Sequence, residues 1–266
     1  MDHELDPGPL QRQPGDRRMV SGAPRDLNFE GTVARGGWAD LPGDLARLNL
    51  EVPVGAAIRC SVTAGYPAAA PPLPDLVAGA GFRVDRTRRA GCRTVVDARR
   101  ERTLPDFVGG GMRMLVCGLN PSVVSADAGF GYAGATNRFW TAAVAAGIVS
   151  RPRDPMAMLD IDRVGMTDLV KRATPNADGL TAAEYAAGAE RVRRLVEWLR
   201  PGVVVFVGLA GWRAAVDRRA VPGPQPSPFA GTPAYVMPST SGRNARTGPE
   251  ELADHLRRAV ARADSK

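Results

Sequence analysis

The sequence predicts an α/β protein: a three-layer sandwich around a mostly parallel central sheet, preceded by a small α+β segment. Three observations predict it. From residue 113 onward, short apolar runs alternate with stretches of helical periodicity, the pattern of a sheet whose strands are joined through helices. One of these runs, Val203-Val-Val-Phe-Val207, is unbroken and β-branched, as in a strand buried on both faces. Between about 38 and 103, alternating strands and short helices occur in a shorter, less apolar pattern.

Taken in order, residues 1–26 are rich in Pro, Gly and charge and are expected to form a disordered tail. Residues 27–103 are expected to make the small α+β unit. Leu41 to Leu50 reads as a helix and Ala56 to Thr63 as a strand. A proline-rich turn, Pro67 to Pro74, precedes a helical stretch Leu76–Ala80, and Phe82–Thr87 and Arg93–Ala98 follow as strands joined near Gly91. Residues 104–266 then form the principal domain. Arg113–Cys117 is a strand ending in the loop Gly118-Leu-Asn-Pro-Ser122. A helix opens at Asn137, a plausible cap, and closes at Gly147. Thr181-Ala-Ala-Glu184 is a capping box for a helix that runs to Leu199 before Pro201-Gly202. After the Val203–Val207 strand come a helix near Ala210–Arg219 and a strand Ala234–Met237. That strand leads into Pro238-Ser-Thr-Ser-Gly-Arg-Asn244, and an amphipathic helix from about Glu250 closes the chain. Ligands of such sheets sit beyond the carboxyl ends of the strands. The loops 118–122 and 238–244 satisfy that geometry.

Composition narrows the chemistry. The chain of 266 residues has two histidines (His3, His255), three scattered cysteines (Cys60, Cys92, Cys117) and two lysines (Lys171, Lys266). Triads built on histidine, zinc or iron–sulfur sites and disulfide frameworks therefore lack ligands or nucleophiles, and no metal or organic cofactor is expected. Arginine carries nearly all the cationic charge; the net charge of +7 favours an anionic partner such as nucleic acid, although genomic composition explains arginine richness equally well. No apolar run approaches a membrane span, and the first twenty residues lack the apolar region of a secretory signal. A cytoplasmic protein is expected, nucleoid-associated if bacterial.

Four ordered motifs then make the sequence familiar. Gly118-Leu-Asn-Pro, Gly129-Phe-Gly-Tyr132, Asn137-Arg-Phe-Trp140 and Met237-Pro-Ser-Thr-Ser-Gly-Arg243 resemble the mismatch-specific uracil/thymine DNA glycosylase family, as does the central segment Gly165–Pro175. The resemblance covers roughly 104–262. It implies a uracil-DNA glycosylase-like fold. The implied enzyme is monofunctional: it flips uracil, or a similar damaged pyrimidine, out of a duplex and hydrolyses its N-glycosidic bond. The partner is double-stranded DNA with a mismatched or damaged pyrimidine, and the enzyme is expected to be a monomer. A weaker likeness, over about sixty residues of the N-terminal segment, is to the C-terminal end of class I methyltransferases. No glycine-rich cofactor loop accompanies it.

The resemblance makes Asn120 the residue that positions the attacking water, and Tyr132 the aromatic that stacks on the flipped base. Gly118, Leu119 and Ser122 shape the base pocket, and Asp168 faces it, where a carboxylate opposes an anionic leaving group. In the late loop Arg243 fills the gap in the duplex, Ser239 and Ser241 touch backbone phosphates, and Gly242 is a further DNA-binding position beside them. Arg246 and Lys171 are candidates for DNA phosphate. Read alone, Asn120 is equally an asparagine capping the loop before Pro121, Tyr132 a core aromatic, Asn137 a helix cap and Arg243 a solvated arginine. Two other readings compete: a catalytically weak protein that binds mismatched or damaged DNA, and a methyltransferase-derived fusion whose N-terminal part binds a partner.

Overall fold

The computed structural model describes residues 24–29, 37–63, 67–244 and 246–263. In the N-terminal unit the elements are β1 (Arg25–Asn28), α1 (Leu41–Glu51), β2 (Ala57–Val62), α2 (Leu73–Gly79), β3 (Phe82–Ala90) and β4 (Arg93–Arg100). The strands form one sheet in the order β1-β2-β4-β3. Ile58, Cys60, Val62, Val96 and Ala98 point to the same side and pack on Leu41, Leu45 and Val77 of the two helices. Two expectations change here. The tail assigned to 1–26 lies outside the described residues up to 23, but Arg25 and Asp26 belong to β1, which pairs in parallel with β2. Helix α2 begins at Leu73 rather than Leu76, since Pro74 falls in the first turn, where a missing N–H is no loss.

The second unit contains β5 (Met114–Gly118), α3 (Val123–Ala128), α4 (Phe139–Ala145), α5 (Pro155–Asp160) and β6 (Val164–Asp168). It continues through α6 (Ala182–Leu199), β7 (Val203–Val207), α7 (Leu209–Ala215), β8 (Gly223–Pro224), β9 (Ala234–Met237) and α8 (Pro249–Ala263). The sheet order is β6-β5-β7-β9-β8, with every pairing parallel except the short β8 edge. Strand residues alternate between two cores. Leu115, Cys117, Val204, Phe206 and Val236 meet Val192, Leu195 and Leu199 of α6. Met114, Val116, Val205 and Tyr235 meet Phe139 and Ala143 of α4 and Leu252 and Leu256 of α8. The three layers are therefore helix, sheet, helix, as the sequence predicts. Each fully buried Val or Leu in them contributes about 1.5–3 kcal/mol.

Helix α6 starts at the predicted capping box, with Thr181 accepting from Glu184 N and the Glu184 carboxylate accepting from Thr181 N. Helix α7 stops at Ala215, four residues before its expected end. The two units share one core, because Val108, Met112 and Leu115 join Leu45, Val77 and Phe82 in a single apolar cluster. No described helix is long and apolar enough to cross a membrane.

The crossovers set the site. From β5 the chain moves outward to β6, then returns past β5 to β7, so the connections diverge about β5. That divergence opens a crevice at the carboxyl ends of the strands.

Candidate active site

All four parallel strands end at one cleft of about 510 Å³. Its walls include Leu119 and Asn120 after β5, Asp168 at the end of β6, Val207 at the end of β7, and Ser239, Ser241 and Arg243 after β9. Tyr132, Asn137 and Ser122 complete it. Gly118 is buried directly behind the cleft, in register with Asp168, and does not itself line it. A Cβ on Gly118 would stand 2.4 Å from Asp168 Oδ1 and 3.0 Å from the Tyr132 hydroxyl. The glycine is what lets those two polar groups converge.

Beyond Gly118 the chain stays paired with the segment after β6. Leu169 N donates to Gly118 O, Val170 N to Leu119 O and Thr174 N to Pro121 O, at 2.9, 2.9 and 3.1 Å. This fixes Asn120. Its Nδ2 donates to Pro121 O (3.1 Å), Arg172 O (3.0 Å) and Thr174 Oγ1 (2.7 Å). Carbonyl oxygens only accept, so the amide's orientation is determined, and no group among the described residues donates to Oδ1. The side chain is anchored by its nitrogen and offers an acceptor at the cleft wall.

Tyr132 sits at φ 59°, the left-handed region that a non-glycine residue enters only at a cost. Its ring stacks on Phe139 with centroids 4.3 Å apart and planes 22° apart, and its buried hydroxyl has no partner among the described residues. Burial, reinforced by the nearby Asp168 charge, pushes that hydroxyl well above the usual phenol range. The Asp168 carboxyl likewise has no hydrogen bond among the described residues. Burial raises its pKa to about 6 against the opposing pull of Lys171.

The late loop is braced from behind. The Arg138 guanidinium donates to Ser241 O (3.1 Å), Asn244 O (2.5 Å) and Thr247 O (2.5 Å). Asn244 Nδ2 donates to Ser239 O at 2.8 Å. Gly242 packs so closely on Thr136 that a Cβ would lie 2.5 Å from its hydroxyl. The Arg243 side chain is exposed and makes no ion pair among the described residues.

Residues 105–262, more than half of the chain, match the family model described as "Uracil DNA glycosylase superfamily". The chain belongs to that superfamily. Superfamily membership makes residues 105–262 a DNA glycosylase domain, an α/β hydrolase of N-glycosidic bonds. The match begins one residue after Leu104, which itself lines the cleft.

For this glycosylase domain the structure brings Leu119, Asn120, Ser122, Tyr132, Asp168, Ser239, Ser241 and Arg243 to one cleft, with Gly118 buried behind Asp168. Ser122 is also the cap of α3, where its Oγ accepts from Ser125 N. Asn137 combines both of its readings, lining the cleft while its Oδ1 accepts from Phe139 N at the start of α4. Gly242 supports the loop rather than lining the cleft, and Arg246 is exposed beyond it. Lys171 departs from its expected place. Its ammonium turns inward to Asp106 at 2.8 Å and is 15% exposed, so it does not present itself to a phosphate. His255 is buried against Tyr235, outside the cleft, and His3 and Lys266 lie outside the described residues. Among the described residues no group of three or more His, Cys, Asp or Glu is placed to hold a metal ion.

Three supporting residues escape a sequence reading. Thr174 accepts from Asn120, Arg138 braces the late loop, and Asp106 anchors the end of β6 from beneath. Asp106 is buried and ion-paired to Lys171 and Arg191, and it accepts from Thr167 Oγ1 at 2.6 Å. Burial would raise its pKa, yet the two cations hold it below the usual carboxylate range. Arg191 also donates to Asp168 O at 2.6 Å, so the network reaches the floor of the cleft.

Proposed function

We propose that this glycosylase excises uracil, or thymine or an etheno-type damaged pyrimidine, from mispairs with guanine in duplex DNA. It acts as a monofunctional enzyme and a monomer. The observation that carries the reading is Asn120, whose amide nitrogen is fixed by three protein acceptors while Oδ1 is left without a donor at the cleft.

In this mechanism the extruded base enters against Tyr132 and Asp168, where stacking contributes about 1–3 kcal/mol. The bond from C1′ to the base nitrogen breaks with its electron pair leaving on the base, which produces an oxocarbenium-like sugar. Asn120 Oδ1 accepts a hydrogen bond from a water and holds its oxygen toward C1′. That oxygen forms the new bond, and its proton passes to solvent or to the departing base, because a carboxamide is no base. Arg243 enters the duplex, where a guanidinium both stacks and donates to the widowed guanine.

The second reading is a damage-binding protein with weak catalysis. Asp168 favours it, since an ionised carboxylate in the pocket opposes negative charge on the leaving ring. Alkali-dependent strand scission of labelled duplexes carrying a single U·G, T·G or U·A pair separates the two. Scission of U·G supports the enzyme, and the other pairs define its scope. Tight mismatch binding without scission of any duplex establishes the binding protein instead.

A further inference from the structure

We propose that the outer face of the N-terminal sheet is a second DNA contact, an arginine track that receives the phosphate backbone flanking the extruded nucleotide. The proposal rests on duplex DNA being the partner of the cleft, and apart from Arg172 it concerns arginines outside the superfamily match.

The segment 83–102 carries eight arginines against three acids. The register gathers most of them on one side. Arg83 pairs with Arg99, Arg86 with Asp97 and Arg88 with Val95, while Arg59 and Ser61 of β2 face Asp97 and Val95. These positions lie opposite the apolar residues that pack on α1 and α2, so they form the free face of the sheet. Two recesses mark it. One, of about 520 Å³, is lined by Arg59, Arg88 and Arg93 over Ser61 and Val95. The other, of about 370 Å³, is lined by Arg83, Arg99, Arg100, Arg102 and Arg172.

The acids on this face pre-orient its arginines and leave it with an excess of positive charge. Asp97 holds both Arg59 and Arg88 at 2.6 Å. Asp85 holds Arg83 at 3.3 Å and Arg99 at 3.2 Å. The Asp85 pair keeps one positive charge, whereas Asp26, 3.8 Å from Arg59, balances the Asp97 cluster. Arg86 and Arg93 have no acidic partner among the described residues; Arg93 donates to Ser61 Oγ at 2.8 Å. Fixed guanidiniums with spare donors suit phosphate oxygens.

Position supplies the rest of the argument. The 171–176 segment is a wall between the arginine recess and the cleft. Arg172 and Ala173 line the recess, Pro175 and Asn176 line the cleft, and Arg172 O accepts from Asn120. Thr103 lines the recess and the next residue, Leu104, lines the cleft. From Arg83 to Arg88 the strand advances about 17 Å. That matches the axial rise of about five nucleotide steps on one strand. The track therefore spans about five nucleotide steps of the flanking strand, beginning at the wall it shares with the cleft.

The test uses the full chain, an undamaged 30-base-pair duplex and the double variant Arg86→Ser/Arg93→Ser, with thermal melting to verify the fold. Removing two phosphate contacts should lower the slope of log affinity against log salt by about 2. On U·G duplexes, KM should rise with kcat unchanged when the flank is long, and the difference should vanish when the flank on the track side is cut to three base pairs. An unchanged salt slope in the folded variant overturns the proposal, as does an equal KM effect on every flank length. If no duplex is cleaved but undamaged-duplex binding still weakens in the variant, the track stands and the glycosylase reading fails.

Discussion

In the proposed reaction, Asp168 is the residue whose ionisation acts most directly on the leaving base. Its folded pKa of about 6 lies above the ordinary carboxylate value of 3.8. A raised acid destabilises the fold when it ionises: the penalty is absent below about pH 4 and complete above about pH 6. Asp168→Asn should therefore raise the melting temperature above pH 6, by the equivalent of about 1–3 kcal/mol, and leave it unchanged near pH 4. Catalysis should respond in the same direction. At an assumed separation of about 7 Å and an effective dielectric of about 20, a like charge opposes the departing ring by about 2–3 kcal/mol before neighbouring cations offset part of this. Turnover of the variant on U·G at pH 7.5 should rise about tenfold, and the wild-type increase on acidification through pH 6 should disappear. Gly118→Ala should act oppositely. Its Cβ would meet Asp168 Oδ1 at 2.4 Å, so the floor of the cleft must open, and excision should fall at least tenfold with little change in duplex affinity.

Elements with local signals were legible in the sequence; those whose partners lie far along the chain were not. The capping box of α6, the buried strand β7 and the late helix α8 follow from patterns within a few residues. Strand β6 carries little strand signal in the sequence because Val-Gly-Met-Thr-Asp takes two polar residues into the interior. Thr167 finds its partner, Asp106, 61 residues away, and Arg191, 23 residues beyond Asp168, holds that residue's carbonyl while its carboxyl stays unpartnered among the described residues. Lys171 was misplaced for the same reason, its counter-ion being 65 residues away. The motif residues of the cleft were visible as a pattern, whereas their braces were not. Arg138 holds carbonyls 103 to 109 residues downstream. Arg138→Ala should free the 238–244 loop. Amide exchange there should accelerate and mismatch discrimination should fall, while the melting temperature drops only modestly. A lysine at 138 should not rescue the loop, because an ammonium lacks the planar fork that reaches three carbonyls.

At the scale of the molecule, the two units are tied by a polar knot as well as by a shared core. Asp106 N donates to Gly79 O at the end of α2, while the Asp106 carboxylate pairs with Lys171 after β6 and Arg191 of α6. Arg194 of α6 pairs with Asp75 of α2 at 2.7 Å. Asp106→Asn leaves two buried cations without their anion and should cost about 3–5 kcal/mol. Because the folded pKa of Asp106 is depressed, its stabilisation is present above about pH 4 and is lost as pH falls through the lower folded value. The segment between the units is itself held: Arg100 donates to Val52 O, Glu101 N to Gly81 O, and Thr103 and Leu104 are buried. Limited proteolysis should therefore spare Arg99–Leu104 under native conditions, and rapid cleavage there would show that the units separate.

The most direct test of the central claim is the single-turnover rate of uracil release from a U·G duplex by the wild type and by Asn120→Ala, with affinity for the same duplex measured in parallel. An amide anchored by its nitrogen to hold a water through Oδ1 predicts a rate reduced about 10²–10³-fold with affinity within a few-fold of wild type. An Asn120→Ala enzyme that releases uracil at the wild-type rate would contradict the account.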